Sequence, residues 1–503
     1  MLQPIVNLFD QLEQNGVEYC NWKSNDKLEQ SLRGETDIEL LCHRTQVSEV
    51  EAALAECGYK KFPDVSYTAF PGITNYMDFD EQSGEIIHVH LHYELTFGTP
   101  YLKEYVSPWG PYVLENRKRD EETGVWITDP NIELVLLFVR YALKIRRLNI
   151  RARQSRFQSF LKEHDWLVNR TDIDTVETVA RDLLNEEVSR QIIRMIENDP
   201  SIGQFHTLRK LIKPELRPYR THRTGATLLL PYLRKGFRGV GKLNEAVLGR
   251  PFPTRRTPAS GGIEVAFVGV DGSGKSTHVT EITDWLSWKV DVHQVYFGSG
   301  DGNSSLLRYP LKKLNQLRGR LQGGNQPQNT TEDNTEINAQ SRESPTDSPS
   351  SSRVGAAKAI WALTLAREKR NKRRQSKRAR NHGMIVIMDR YPQNQVAGHN
   401  DGPLLQGWKK RNSRILRWLS EWEEDIYNQL HETPPDLIIK LQTSPEIAKQ
   451  RKPETPLREL RQKAETVEQL EYEDDNCNTV VVDTEQDLDQ VVRTIKTEIW
   501  KIL

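Results

Sequence analysis

Short, largely apolar runs alternate with longer amphipathic stretches in the second half of the chain. Four such runs have the length of buried strands and lie at 263–268, 384–388, 436–441 and 479–483. Apolar residues at helical spacing follow the first run at 278–288 and the last run at 488–503. Strands that alternate with helices predict a parallel, doubly wound sheet. We therefore expect an α/β domain over 263–503.

The first half of the chain has a different pattern. Up to about residue 125, an opening helix precedes strand patterns at 37–42 and 86–93 and a helix pattern at 46–56, which predicts an α+β domain over 1–125. Apolar residues then recur mostly every three or four positions, which predicts a helical region over 126–250. The proline- and glycine-rich segment 251–262 predicts a linker into the last domain.

One segment of the last domain lacks a core-forming pattern. Residues 322–352 contain almost no large apolar side chains and many Gly, Pro, Ser, Asn and Gln residues. Such a composition buries too little surface to offset the entropy lost on ordering. We predict a disordered insertion there.

Composition narrows the class of protein only a little. The 503 residues include 70 Lys+Arg and 70 Asp+Glu, so the net charge indicates neither a nucleic-acid nor a membrane partner. The four cysteines have no C-x-x-C spacing, which disfavours a disulfide framework. The apolar runs are far shorter than a bilayer span, and residues 1–16 do not resemble a signal peptide. We expect a cytoplasmic protein without a membrane span.

The strongest motif lies directly after the first predicted strand. Gly269 to Ser276 fits the pattern G-x-x-x-x-G-K-[ST], in which backbone N–H groups at a helix start face the phosphates of a nucleotide. We predict that Lys275 contacts the β- and γ-phosphates of ATP and that the Ser276 hydroxyl binds Mg²⁺. The predicted nucleotide-binding residues are Gly269, Asp271, Gly272, Ser273, Gly274, Lys275, Ser276 and Thr277.

Asp389 and Arg390 end the second predicted strand. Because the carboxyl ends of neighbouring parallel strands meet at one edge of the sheet, both side chains should lie beside the phosphates. We predict that Asp389 acts on the metal or its water shell. Arg390 should then hold an anionic acceptor.

These motifs together resemble thymidylate kinase, which phosphorylates a nucleoside monophosphate with ATP. The resemblance rests on the phosphate loop, on Asp389-Arg390-Tyr391, on the strand at 435–441 and on the arginines that follow it, and it covers most of 261–503. It implies ATP and Mg²⁺ as cofactors, Asp271 near the acceptor sugar and Arg390 on the acceptor phosphate. Because position 272 is Gly, it also implies a lid that supplies positive charge, with candidates Arg451, Arg458 and Arg461. We also consider a homodimer as a possible assembly of this chain.

Two segments depart from the family or leave alternatives open. The loop 393–403 lacks the residues that usually shape a thymidine pocket, so it is either an acceptor-recognition loop or a plain turn-rich connection. Nine Lys or Arg residues occur among the fourteen at 367–380. We favour a solvated helix face there, with Arg367 or Arg370 near the acceptor phosphate, over a nucleic-acid-binding surface.

The N-terminal domain carries weaker signals. Asp37 and Glu39, two positions apart on a strand and preceded by Lys23-Ser24, resemble the metal-binding pair of nucleotidyltransferase-like folds, which implies Mg²⁺ there. His88, His90 and His92 share one face of a later strand, where active members would carry a third carboxylate. Those histidines either bind zinc or, as we favour, form a hydrogen-bonded strand face.

The sequence therefore predicts an ATP- and Mg²⁺-dependent kinase that acts on a dTMP-like nucleoside monophosphate or a related phosphate-bearing acceptor. Two alternatives remain. The N-terminal domain could transfer nucleotidyl groups, or the chain could be an ATP-binding regulatory module without kinase activity.

Overall fold

The computed structural model of the protein describes residues 1–99, 101–145, 150–298, 352–398, 400–472 and 477–503. Within them the chain forms two compact units, Met1–Asn244 with Thr254–Ala259 and Glu245–Pro253 with Ser260–Leu503. The predicted disordered insertion lies outside the described residues, which resume where Ser352 begins a helix. In the part of the chain that the structure describes, no helix combines the length and the apolar character that crossing a bilayer requires.

The N-terminal unit is built on a mixed sheet. Its described strands are β1 Tyr19–Asn21, β2 Leu40–Cys42, β3 Lys60–Lys61, β4 Ile73–Asp80, β5 Glu85–His92, β6 Leu95–Phe97, β7 Tyr105–Ser107, β8 Lys118–Arg119 and β9 Trp126–Ile127. Seven of them form one sheet in the order β3-β4-β5-β2-β1-β9-β8, and β6 pairs with β7. The predicted strand at 37–42 is shorter than expected, although Ile38 still forms a bridge to Val89. The sequence pattern missed β4, because Asn75, Asp78 and Asp80 interrupt its apolar residues.

Helices complete this unit. They span Gln3–Gln14, Leu28–Leu32, Val47–Glu56, Gly110–Glu115, Pro130–Lys144, Ile150–Val168, Ile173–Leu183, Glu186–Glu197, Ile202–Glu215 and Thr224–Leu248, of which residues 245–248 belong to the C-terminal unit. The helix Pro130–Lys144 starts with Asp129 as its N-cap and is buried along nearly its whole length. One hydrophobic core joins residues from both sides of the predicted boundary at residue 125, including Trp22 and Phe138.

The C-terminal unit contains the predicted parallel α/β sheet. In the described residues the sheet has five strands, β10 Glu264–Gly269, β11 Val292–Tyr296, β12 Ile385–Asp389, β13 Leu437–Gln442 and β14 Asn478–Asp483. Their order is β11-β12-β10-β13-β14, and every pair is parallel. The four apolar runs correspond to β10, β12, β13 and β14, and each observed bound lies within one residue of the predicted one. The sequence pattern missed β11, whose side chains are mostly half-buried.

The helices of this unit span Lys275–Ser287, Ser352–Asn381, Arg414–His431, Pro445–Arg451, Leu457–Gln469 and Leu488–Ile502. The long helix Ser352–Asn381 carries the basic stretch of the sequence. It is fixed to the sheet by a buried ion pair between Arg373 and Glu264, the first residue of β10. Arg373 also donates to the Thr433 carbonyl at 2.9 Å.

Candidate nucleotide and acceptor site

The phosphate-loop motif forms the turn between β10 and the helix that starts at Lys275. Gly272 and Gly274 both have φ +85°, a left-handed conformation that residues with a Cβ rarely adopt. A Cβ on Gly272 would lie 2.6 Å from the Ala448 carbonyl oxygen, so the loop has no room for a side chain there. Ser276 and Thr277 lie in the first turn of the helix, where unpaired backbone N–H groups favour an anion.

Lys275 folds back over this loop. Its Nζ donates to the Gly269 carbonyl at 2.9 Å and to the Val270 carbonyl at 2.6 Å, and the side chain is buried. Burial, and next the positive charge of Arg390, lower the pKa of Lys275 to about 8. The ammonium group is therefore held among weak neutral acceptors, which a phosphate oxygen could replace.

Ser276 and Asp389 meet beside the loop. The Ser276 hydroxyl donates to Asp389 Oδ2 at 2.8 Å, because β12 lies next to β10 in the sheet. The other carboxylate oxygen, Oδ1, is buried and has no hydrogen-bond partner among the described residues, and the same is true of the Ser273 hydroxyl. Hydroxyl and carboxylate oxygens are the ligands that Mg²⁺ prefers.

Asp271 connects the loop to two cationic side chains. Its carboxylate lies 3.0 Å from Arg390 Nη2 and 2.7 Å from Lys463 Nζ. Burial alone would raise the pKa of Asp271, but the charges of Arg390, Lys275 and Lys463 hold it well below its usual range. Arg390 itself has φ +70°, a strained conformation for a residue with a side chain. Such strain is typical of functional sites.

Arg390 and Lys463 also line an open cavity with about 380 Å³ of empty space. Its wall includes Lys369 and Asp401, whose Nζ and Oδ1 atoms lie 3.2 Å apart. Arg390 Nη1 lies 3.5 Å from the other oxygen of Asp401. Gly398, Asn400, Asp401 and Gly402 all contribute to the wall. Part of the loop 393–403 thus belongs to the cavity, as the acceptor-recognition interpretation requires.

The three candidate lid arginines lie elsewhere on the surface. Arg451 Nη2 donates to the Thr484 carbonyl at 2.8 Å, and Arg461 pairs with Glu446 at 2.9 Å. Arg458 is exposed on the helix Leu457–Gln469. The cation of this helix that reaches Asp271 is Lys463.

Sequence reasoning therefore missed three residues of the cavity, Lys369, Asp401 and Lys463. Of the two arginines expected near the acceptor, Arg367 is exposed, whereas the neighbouring Lys369 is buried in the wall. Lys369 lies three and four positions from the buried Ala366 and Leu365, a spacing that places it on the inward face of the helix. That spacing is the signal that could have found it.

In the N-terminal unit, Asp37 and Glu39 both face the histidines of β5. Asp37 lies 2.7 Å from His88 Nδ1, and Glu39 Oε2 lies 3.1 Å from His90 Nδ1 and 2.9 Å from His92 Nε2. Each histidine thus has a hydrogen-bond partner, as the favoured interpretation of this strand face expects. No further zinc ligand was apparent in the sequence, but ligand atoms of Glu39, His90 and His92 lie within 4.8 Å of one another.

Lys23 also contacts Glu39, with 2.8 Å between Nζ and Oε1. Burial raises the pKa of a carboxyl, yet Lys23 and His90 hold the pKa of Glu39 well below its usual value. Both oxygens of Glu39 are therefore already bound by side chains of the protein.

Comparison with known proteins gives relatives of limited similarity. The chain matches no protein-family profile. The uncharacterized ATP-binding protein YghR of Escherichia coli K12 is 29% identical over 216 residues, which are 41% of this chain and 76% of YghR. The uncharacterized ATP-binding protein YghS of the same strain is 26% identical over 209 residues, which are 41% of this chain and 81% of YghS.

Proposed function

We propose that the C-terminal unit is a kinase that binds ATP with Mg²⁺ and phosphorylates a small phosphate-bearing acceptor, in the class of nucleoside monophosphates. One observation carries the proposal. Asp271 of the phosphate-loop motif contacts Arg390 and Lys463, which both line the neighbouring cavity. A nucleotide site and a cationic acceptor cavity therefore share a residue.

Three features support ATP binding. The loop has left-handed glycines that turn its backbone, a helix start that favours anions, and a buried lysine whose present partners are carbonyl oxygens. The relatives YghR and YghS are named as ATP-binding proteins. We assign the triphosphate to this loop and its contact with the β- and γ-phosphates to Lys275.

The residues beside the loop fit Mg²⁺. Ser276 and Asp389 would hold it, since they present a hydroxyl and a carboxylate whose second oxygen is buried without a partner in the described residues. Bound there with ATP, the ion would neutralise phosphate charge and orient the triphosphate.

The cavity wall suits an anionic acceptor that also carries hydroxyl groups. Arg390, Lys369 and Lys463 provide cationic donors for a phosphate, and Asp271 and Asp401 hold these donors in place. The same two carboxylates can accept hydrogen bonds from sugar hydroxyls. A nucleotide or sugar phosphate presents both kinds of group.

In this mechanism the chain acts mainly by positioning and by charge. An oxygen of the acceptor phosphate attacks the γ-phosphorus, the bond to the bridging oxygen breaks, and ADP leaves. Arg390 orients the attacking phosphate, and Lys275 stabilises negative charge on the transferred group. Because Gly272 has no room for a side chain, we assign the remaining positive charge to a lid that carries Arg451, Arg458 and Arg461.

The direct test is a screen for ADP release with ATP and Mg²⁺ and a panel of nucleoside monophosphates and sugar phosphates. Stimulation by one class of acceptor supports the kinase and names its substrate. ATP binding without stimulation by any acceptor would favour the regulatory module instead.

The lid assignment makes a prediction about single variants. Replacing Arg451, Arg458 and Arg461 one at a time by Ala should lower kcat in at least one variant with little change in ATP affinity. This result is expected for a contact that forms mainly in the transition state. If all three variants keep the kcat of the parent, the charge comes from another element, and Lys463→Met becomes the next variant to measure.

The pKa of Lys275 makes a prediction about pH. Since that pKa is about 8 before the nucleotide binds, phosphate contact should raise it and ATP binding should take up a proton above pH 8. We expect the Kd for ATP to rise by up to about tenfold per pH unit there. Calorimetry at one alkaline pH in two buffers of different ionisation enthalpy measures the uptake. Equal binding heats in both buffers would contradict the assignment.

A further inference from the structure

A second cavity lies in the N-terminal unit and is unrelated to the proposed kinase site. It contains about 320 Å³ of empty space and opens to solvent. Its wall comes from the segment directly after β1, from β6, from the loop after β6 and from the helix Pro130–Lys144. It includes Trp22, Thr96, Lys23, Lys103, Arg140 and Lys144. Four of the eight residues that line the cavity are basic.

Three buried polar atoms in this wall have no hydrogen-bond partner among the described residues. They are Trp22 Nε1, Thr96 Oγ1 and Arg140 Nε. These residues are only 2%, 5% and 7% exposed. Native proteins rarely leave buried donors unsatisfied, because each one loses its hydrogen bonds to water without replacement. Three such atoms around one cavity indicate a ligand rich in acceptor oxygens.

The charges of the cavity wall also favour an anionic ligand. Lys23 is paired with Glu39, and Arg140 is paired with Glu163. Lys103 and Lys144 form no ion pair with any residue that the structure describes, so no carboxylate balances the charge of either lysine when it is protonated. Burial, and next the charge of Lys23, lower the pKa of Lys103 to about 7. A bound anion would relieve that repulsion.

The loop that carries Lys103 is held in an uncommon conformation. Tyr101 and Lys103 both have positive φ, at 72° and 46°. The buried Glu104 fixes the loop by accepting hydrogen bonds from the backbone and the hydroxyl of Thr99 at 2.8 and 3.0 Å. The strained backbone keeps Lys103 at the cavity wall. A lysine held there loses contacts with water that a fully exposed lysine would keep.

We propose that this cavity binds the phosphate group of a small phosphate ester without a metal ion. A phosphate offers more acceptor oxygens and more charge than a carboxylate, which matches several donors and two lysines that have no acidic partner. A metal is not needed, because lysine and arginine side chains supply the positive charge. Glu39, the nearest metal-ligand candidate, already has Lys23, His90 and His92 on its two oxygens. The N-terminal unit would then recognise a phosphorylated ligand rather than perform metal-dependent nucleotidyl transfer.

The test uses the full chain with Lys275→Met, so that the phosphate loop does not obscure the result. Inorganic phosphate and pyrophosphate are titrated by calorimetry in the presence of EDTA. We expect binding, and we expect Lys103→Met and Thr96→Val each to weaken it by about tenfold or more. Lys210→Met removes an exposed lysine that does not line the cavity and serves as the matched control. That control should bind as the parent does.

Three results would overturn the proposal. They are no binding by the Lys275→Met chain, binding only after Mg²⁺ or Mn²⁺ replaces EDTA, and equal binding by the cavity variants and the control. Circular dichroism reports whether each variant is folded. If a cavity variant is not folded, Lys144→Met, which changes an exposed residue of the wall, is measured in its place. The same cavity substitutions, made in the chain that retains Lys275, should leave the affinity for ATP unchanged. Failure of this proposal is therefore distinguishable from failure of the kinase proposal.

Discussion

Replacing Lys275 by Met should lower ATP turnover by about 10²–10³-fold or more, because one preorganised charge is lost from the triphosphate and from the transferred phosphoryl group. Methionine has a similar length and suits the buried position, so the fold should remain intact. Release of ADP in the presence of the acceptor measures the effect. Thermal unfolding should show a midpoint near that of the parent.

Lys501→Met is a suitable control for this variant. Lys501 is a surface lysine of the same unit that pairs with Glu498 at 2.6 Å. It should turn over ATP at the parent rate, since surface ion pairs contribute little. If Lys275→Met also turns over ATP at the parent rate, the kinase assignment is wrong.

The second large effect is expected for Arg390. Replacing it by Ala should raise the KM for the acceptor by about 10²-fold, since it removes a charged donor from a partly buried site. Ala keeps a Cβ at the strained backbone position, so the change removes the side chain beyond Cβ, including the guanidinium group, without introducing a glycine there. Asp271 retains Lys463 as a partner at 2.7 Å, which should preserve the loop and the affinity for ATP. Initial rates over a range of acceptor and ATP concentrations separate the two constants.

Arg493→Ala provides the comparison, because Arg493 is exposed on the helix Leu488–Ile502. The acceptor KM of this control should equal that of the parent. A larger change in ATP affinity than in acceptor KM for Arg390→Ala would move Arg390 from the acceptor site to the nucleotide site.

Four of the five described strands of the C-terminal sheet were accessible from the sequence because their signals are local. Each buried strand is one short apolar run, and the helices between strands show a regular spacing of apolar residues. The phosphate loop is contiguous, so the positions that need glycine, Lys275 and Ser276 all fall within eight residues of Gly269. Even the meeting of Ser276 with Asp389 followed from a general property of parallel sheets.

Strands whose residues are not uniformly apolar were missed. Polar residues in β4 are held by partners from other elements, as when Asn75 Oδ1 lies 3.0 Å from His88 Nε2 and its amide donates to Asp64 at 3.0 Å. Those partners are not visible in a local window of sequence. In the sequence, Glu39 and the histidines of β5 are separate signals. In the fold, Glu39, which directly precedes β2, contacts His90 and His92, which lie 51 and 53 positions further along the chain.

The sequence by itself thus determined four of the five described strands of the C-terminal sheet and the residues of the phosphate-loop motif, because both are encoded in contiguous patterns. Only the tertiary structure decided which of many cations line the cavities. Lys463 reaches Asp271 across 192 positions, and Lys369 faces inward while Arg367 faces solvent. In the N-terminal unit, folding places Lys103 and Arg140 in one wall with Trp22. Charged residues are frequent along the chain, and only packing determines which of them lose water and face a ligand.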